Sequence, residues 1–261
     1  YVAADRPGTF LEAAIGESTF ANYEPDANTV GLWHLEEAAG SGAYIKDATG
    51  NANNATPTGS TFVQGKIGKA RSFNSNLISR ASITTYNTSR TVDFWFYPTA
   101  TGIQRGIISV GNTSKDTSPM WLIIQTAGNL LSVYHGSAYR NGTTTLTANQ
   151  WYYGAYTFDA STNAVKLYLN GSLEYSGTVA DANVNNTNLY IGDGYNANFL
   201  GTIDEVRIRN IARTADQIRQ AFEYGKRAHQ ITIDFVTSPQ AAYSAGTSVT
   251  INNPYGTTNL T

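Results

Sequence analysis

Apolar residues recur at every second position through much of this chain, in short runs that stop at Gly, Asn, Asp or Pro. Val92, Phe94 and Phe96 alternate with Asp93, Trp95 and Tyr97 before Pro98. Val165, Leu167 and Leu169 alternate with Lys166 and Tyr168, and Val30, Leu32 and His34 with Gly31 and Trp33. A period of two marks strands with one buried face. The same reading predicts strands over 65–73, 77–83, 107–110, 120–125, 130–134, 150–158, 173–175, 189–191 and 201–210. Thr126-Ala-Gly-Asn129 reads as a hairpin loop and Asn170-Gly171 as a type I′ turn. No helical run separates these strands to make parallel crossovers, so the pattern predicts an all-β, two-sheet antiparallel β-sandwich.

The closing stretch, Gly201 to Asn210, has an internal conflict. Val206 and Ile208 share one parity, with Glu205, Arg207 and Arg209 on the other. Ile203 is out of phase with Val206, which predicts a bulge between them. Counted back from Val206, Asp204 falls on the apolar parity, where a carboxylate needs a partner. Thr214 with Gln217 then forms a capping-box signal, Ala215, Ile218 and Phe222 make a stripe, and Gly225 reads as a stop. One short C-terminal helix is expected there.

These signals place one domain over 28–225. Residues 1–27 are weakly patterned, with a possible short helix over 10–15, and read as a linker or the tail of a preceding domain. Residues 226–261 read as a linker and the start of a further β segment, beginning with the alternation of Ile231, Ile233 and Phe235. The chain opens at Tyr1 rather than Met, as a processed segment would.

Composition narrows the partners. Net charge is -2 and only 14% of residues are charged, which argues against nucleic acid. No run reaches the roughly 18 apolar residues of a membrane helix, so no membrane insertion is expected. The absence of cysteine removes disulfides and thiolate sites.

Several stretches together resemble the laminin-G-like, concanavalin A-like lectin and glucanase jelly-roll domains. They are Gly31 to Leu35, the polar turn Asp47 to Asn54, Gly65 to Phe73, Thr91 to Pro98, Trp151 to Phe158, Val165 to Gly171, Leu189 to Gly192 and Gly201 to Asn210. The resemblance implies a jelly roll in a secreted or cell-surface protein. It also implies recognition of a glycan or an extracellular protein, beside further β domains of the same polypeptide.

For a metal, Asp47, Asn51 and Asp204 are the candidates. The resemblance implies a position between the N-terminal loop and the closing strand, and calcium would take six to eight oxygens there. The alternative is an Asx turn at Asp47 and backbone hydrogen bonds at Asp204. For a ligand face, Trp121, Tyr134, His135, Tyr139, Tyr195 and Phe199 fall at strand ends or in loops, where rings could stack on sugars or anchor a peptide; ordinary packing is the competing explanation for each. For catalysis, a jelly-roll glycosidase needs two carboxylates across the substrate. Asp204 and Glu205 are adjacent, hence on opposite faces of a regular strand. The expectation is a non-catalytic recognition module. A structural spacer or adhesin domain and a polysaccharide-active enzyme are the alternatives.

Overall fold

The computed structural model describes residues 22–83, 88–111, 120–135, 138–179, 188–193 and 198–227, and the backbone of 249–253 and 256–260. In chain order the strands are β1 (Thr29–Trp33), β2 (Thr56–Thr58), β3 (Thr61–Gln64), β4 (Lys69–Asn74), β5 (Leu77–Arg80), β6 (Arg90–Pro98), β7 (Arg105–Val110) and β8 (Met120–Ile124). They continue with β9 (Leu130–His135), β10 (Ala138–Thr145), β11 (Tyr152–Asp159), β12 (Ala164–Leu169), β13 (Ser172–Thr178), β14 (Leu189–Ile191) and β15 (Leu200–Arg209). The helix α1 spans Ala215–Arg227.

These strands form two antiparallel sheets. One runs β13-β12-β11-β6-β15-β4-β3, with β1 also paired to β15, and the other runs β10-β9-β8-β7-β14-β5-β2. The alternating residues meet between them: Val92, Phe94 and Phe96 of β6 share one core with Leu122 and Ile124 of β8 and Leu131 and Val133 of β9. Each such fully buried side chain contributes about 1.5–3 kcal/mol, so the core is the main source of stability. The hairpin signal at Asn170-Gly171 is realised, with φ of 50° and 78° at the two positions, as a type I′ turn requires. Of the predicted strand over 65–73, only 69–73 is extended, within β4; residues 65–68 form the turn between β3 and β4.

The bulge resolves the conflict in β15. Asp204 pairs with Trp95 and Arg207 with Asp93, so β15 carries one extra residue there. Glu205 takes it up at φ 52°, an uncommon conformation for a residue with a side chain. Ile203, Val206 and Ile208 therefore all reach the core. Asp204 does not share their face, contrary to the count back from Val206. It lies on the opposite face, in register with Trp95, because the bulge shifts the parity.

That outer face of the larger sheet is closed over. Asp93 is fully buried there and accepts from Arg207 Nε (3.0 Å), Arg209 Nη1 (2.5 Å) and the Tyr153 hydroxyl (2.7 Å). Burial alone would lift its carboxyl, but Arg207 and then Arg209 outweigh that and hold it below the usual range. Tyr23 forms the roof. Its ring lies 3.6 Å from the Arg207 guanidinium, and its hydroxyl donates to the Ala221 carbonyl of α1 and accepts from Trp95 Nε1. Phe222 of α1 packs against Trp95 and Tyr153. The capping box forms as expected: Thr214 N–H donates to Gln217 Oε1, and Gln217 N–H to Thr214 Oγ1. Gly225 does not end the helix, which runs two residues further. A Cβ there would come within 2.5 Å of both Trp95 Nε1 and the Tyr23 hydroxyl. Gly225 marks close packing rather than a stop.

Asn22–Arg227 forms one unit, and residues 1–21 and 228–261 are grouped separately. In that second group, Val249–Asn253 and Gly256–Leu260 pair as an antiparallel hairpin. The helix expected over 10–15 and the alternation from Ile231 lie outside the described residues. Tyr23, left in the linker by the sequence reading, is held by the sandwich. Tyr23→Ala is expected to cost about 3 kcal/mol, measured by urea denaturation of the full chain. A loss below about 0.5 kcal/mol would show that the segment is not part of the folded unit.

Candidate ligand face

The outer face of the smaller sheet is built differently. Tyr139 of β10 pairs with Tyr134 of β9, Tyr134 with Trp121 of β8, and Trp121 with Ser109 of β7. Ser109 pairs with Tyr190 of β14, and Tyr190 with Ser79 of β5. Directly paired residues project to the same side of a sheet, so these six form one line across six strands. Their neighbours Leu122, Val133 and Ile108 face the core instead, as alternation demands.

Ring geometry grades the line. Trp121 and Tyr134 stack, with centroids 4.8 Å apart and an interplanar angle of 22°. Tyr139 turns edge-on to Tyr134 at 63° and is 38% exposed. Its hydroxyl accepts from Gln104 Nε2 at 2.9 Å, which fixes the ring. Tyr134 and Tyr190 are half-buried, and Trp121 is 1% exposed. Ser109 is buried, and its hydroxyl has no hydrogen-bond partner among the described residues.

Three of the expected ligand residues, Trp121, Tyr134 and Tyr139, are thus brought together. His135 and Phe199 are not part of this face; both are fully buried. His135 follows Tyr134 and so points inward. Its Nε2 lies 3.1 Å from the Arg90 guanidinium and its Nδ1 3.0 Å from the Tyr156 hydroxyl. Arginine only donates, so Nε2 accepts and His135 is the neutral Nδ1–H tautomer. Phe199 packs into the core ahead of β15. Neither can meet a ligand as placed. Tyr195 lies outside the described residues. Tyr190 and Gln104 were missed. For Tyr190 the signal was present, since Leu189 and Ile191 flank it on the core parity.

The metal candidates are engaged by donors. Asp47 Oδ1 accepts from the Leu32 and Thr49 N–H groups, and Oδ2 from the Thr49 hydroxyl and the Asn53 N–H. Asn51 Nδ2 donates to the Val30 carbonyl at 3.0 Å. Asp204 Oδ2 accepts from the Lys66 and Ile67 N–H groups of the 65–68 turn, while Oδ1 is buried without a partner among the described residues. A cation site presents oxygen lone pairs, whereas Asp47 is ringed by hydrogens. The residues as placed do not fit calcium at Asp47. Among the described residues, no group of three or more His, Asp or Glu side chains is placed to hold a metal ion.

The carboxylates of the bulge have a different consequence. Burial first, then the neighbouring Glu205, raises the Asp204 carboxyl well above the carboxylate range. Glu205 is buried against His34, whose Nδ1 lies 2.9 Å from both carboxylate oxygens. Burial would lower the His34 imidazolium, but the hydrogen bond and charge of Glu205 outweigh it and raise it. Both shifts make the folded state hold protons more tightly than the unfolded chain.

Comparison places this architecture. A laminin G family model, described as the concanavalin A-like lectin/glucanases superfamily, matches residues 72–219, more than half of the chain. The chain belongs to this superfamily. As a concanavalin A-like domain, it is similar to domain 4 of AbnA, a GH43 extracellular arabinanase from Geobacillus stearothermophilus, solved in complex with arabinotriose. Identity is 25%, the TM-score is 0.63, and the match covers 74% of this chain and 97% of that one. It is also similar in fold to the binding domain of Paraclostridial Mosquitocidal Protein 1 (20% identity, TM-score 0.60, 75% and 52% coverage). The botulinum neurotoxin serotype D binding domain is a further fold match (16% identity, TM-score 0.57, 75% and 51% coverage). This chain therefore spans about half of each toxin domain. A search of curated proteins finds no match. No helix among the described residues is long and apolar enough to cross a membrane.

Two outcomes are expected. Asp204, with a raised folded pKa, and His34, also raised, each contribute stability that is lost as pH rises. The melting temperature should fall as pH rises above the ordinary carboxylate range and on through the imidazole range, and Asp204→Asn should flatten that slope; an unchanged slope in the variant would contradict the assignment. Asp47→Ala should cost about 2–3 kcal/mol through its orphaned N–H groups, equally in calcium and in chelator. A cost seen only with calcium present would show that a cation is the true partner.

Proposed function

We propose that this domain is a non-catalytic recognition module of a larger extracellular polypeptide, binding glycan through the outer face of the smaller sheet. The observation that carries the reading is the aligned set Trp121, Tyr134 and Tyr139. It grades from a buried indole to an exposed ring pinned by Gln104. Anchored aromatic rings present large, rigid contact area at low entropic cost. On the other sheet, α1 and Tyr23 occupy the outer face. The likeness to an arabinanase domain solved with arabinotriose supports a sugar ligand.

Catalysis has no foothold at the adjacent acids. Asp204 and Glu205 are both fully buried, one under the 65–68 turn and the other against His34. A glycosidase needs its two carboxyl groups on either side of an accessible bond.

Affinity electrophoresis of the full chain in gels containing soluble polysaccharides, arabinan among them, tests the proposal. Retardation by at least one polysaccharide is expected, and Tyr139→Ala should weaken it by about 1–3 kcal/mol while leaving the melting temperature in place. Retardation unchanged in the variant would move the site elsewhere. Retardation by none, with saturable binding to a protein partner instead, would replace the glycan reading with an adhesive one.

A further inference from the structure

We infer that Glu174, on the edge of the larger sheet, is a positioning residue for the ligand face of the smaller one, holding β10 and with it Tyr139 in place. This rests on the ligand-face reading above and adds the group that fixes that face. Among the described residues, β13 ends one sheet and β10 ends the other. Both strands are irregular where they meet. In β13, Tyr175 pairs with Leu167 and Leu173 with Tyr168, which leaves Glu174 as an extra residue with no opposite. A bulge of this kind re-aims a side chain. In β10, Asn141 pairs with Ser132 and Thr145 with Leu130, so residues 142–144 stand against Leu131 alone.

The Glu174 carboxylate fills the gap in that ladder. Its Oε2 accepts from the N–H groups of Thr143 (2.6 Å) and Thr144 (2.8 Å) and from the Thr143 hydroxyl (2.9 Å). Its Oε1 accepts from the Thr144 hydroxyl at 2.8 Å. Gly142 leaves the room: a Cβ there would lie 3.0 Å from the Leu131 carbonyl oxygen and 3.1 Å from Glu174 Oε2. Burial would raise the Glu174 carboxyl, but these hydrogen bonds, from the Thr143 N–H first, outweigh it and hold it below the usual range. An ionised acceptor makes each bond stronger than a neutral one would.

β10 has little else to hold it. Of its eight residues only Gly142 is buried, and glycine brings no side chain to the core. Its place therefore depends on the ladder to β9 and on Glu174. Tyr139 lies two residues before the last regular pair, Asn141 with Ser132. Its edge-on contact with Tyr134 and its bond from Gln104 hold only while that end of the strand keeps register.

Glu174→Ala and Glu174→Gln in the full chain test this. Thr143 and Thr144 are exposed, so water takes up their N–H groups and the alanine variant should still fold. In the glutamine variant the amide oxygen accepts where Oε2 did, and the amide nitrogen donates to the Thr144 hydroxyl. Without polysaccharide, the protected amides of 138–141 should exchange at least about tenfold faster in Glu174→Ala, and near the wild-type rate in Glu174→Gln, with β6 and β11 unchanged in both. In the polysaccharide gels, arabinan among them, affinity should fall about fivefold in Glu174→Ala, recover in Glu174→Gln, and fall no further when Glu174→Ala is added to Tyr139→Ala, because residues that act through one another are not additive. Faster exchange confined to Thr143 and Thr144, or undiminished affinity in Glu174→Ala, would overturn this inference while leaving glycan binding intact. Failure of every polysaccharide to bind would overturn both.

Discussion

A single buried carboxylate organises one whole face of this molecule. Asp93 sits on β6, on the side of the sheet that would face water in a bare sandwich, yet it is fully buried. Its charge is met by Arg207 and Arg209 from the neighbouring strand and by Tyr153 from the other side. Breaking one partner of such a cluster leaves an uncompensated buried charge, at a cost of about 3–5 kcal/mol. The cluster must be roofed, and α1 with Tyr23 forms that roof. The outer face of the larger sheet is thereby committed to structure, which is why the proposed recognition is assigned to the other sheet.

The bulge at Glu205 is part of the same arrangement. Without the extra residue, Arg207 would not meet Asp93 while Val206 and Ile203 both reach the core. The bulge leaves two acids buried side by side, one capped by the 65–68 turn and one held by His34. Gly65 belongs to that cap: a Cβ would fall 2.7 Å from Asp204 Oδ2. These acids tie the N-terminal strand and the turn to the closing strand.

Much of the fold was legible because period-two alternation is a direct record of which side of a strand meets the core between the sheets. β6 and β12 could be read residue by residue, and the bulge showed as a clash of parity between Ile203 and Val206. The capping box at Thr214 was legible because it depends on neighbours in sequence. What depends on distant neighbours was not. Strand β10, with Arg140-Asn-Gly-Thr-Thr-Thr145, is polar on both faces and carries no alternation, so the partner that places Tyr139 beside Tyr134 stayed hidden. Gly225 reads as a stop unless the Trp95 indole beneath it is known. His135 reads as a surface residue because β9 ends there, although its parity with Val133 sends it inward. Asp47 offered a metal on paper, and only the three-dimensional turn reveals the N–H groups that claim it.

The central claim is that ligand meets the smaller sheet and leaves the roofed face alone. Amide hydrogen exchange with and without a bound polysaccharide tests it most directly, because both faces are reported in one experiment. Slowed exchange confined to β8, β9, β10 and β14, with Tyr23 and α1 unchanged, is the result the account predicts. Protection centred on α1, Tyr23 and the 65–68 turn, with β8 to β10 unaffected, would contradict it.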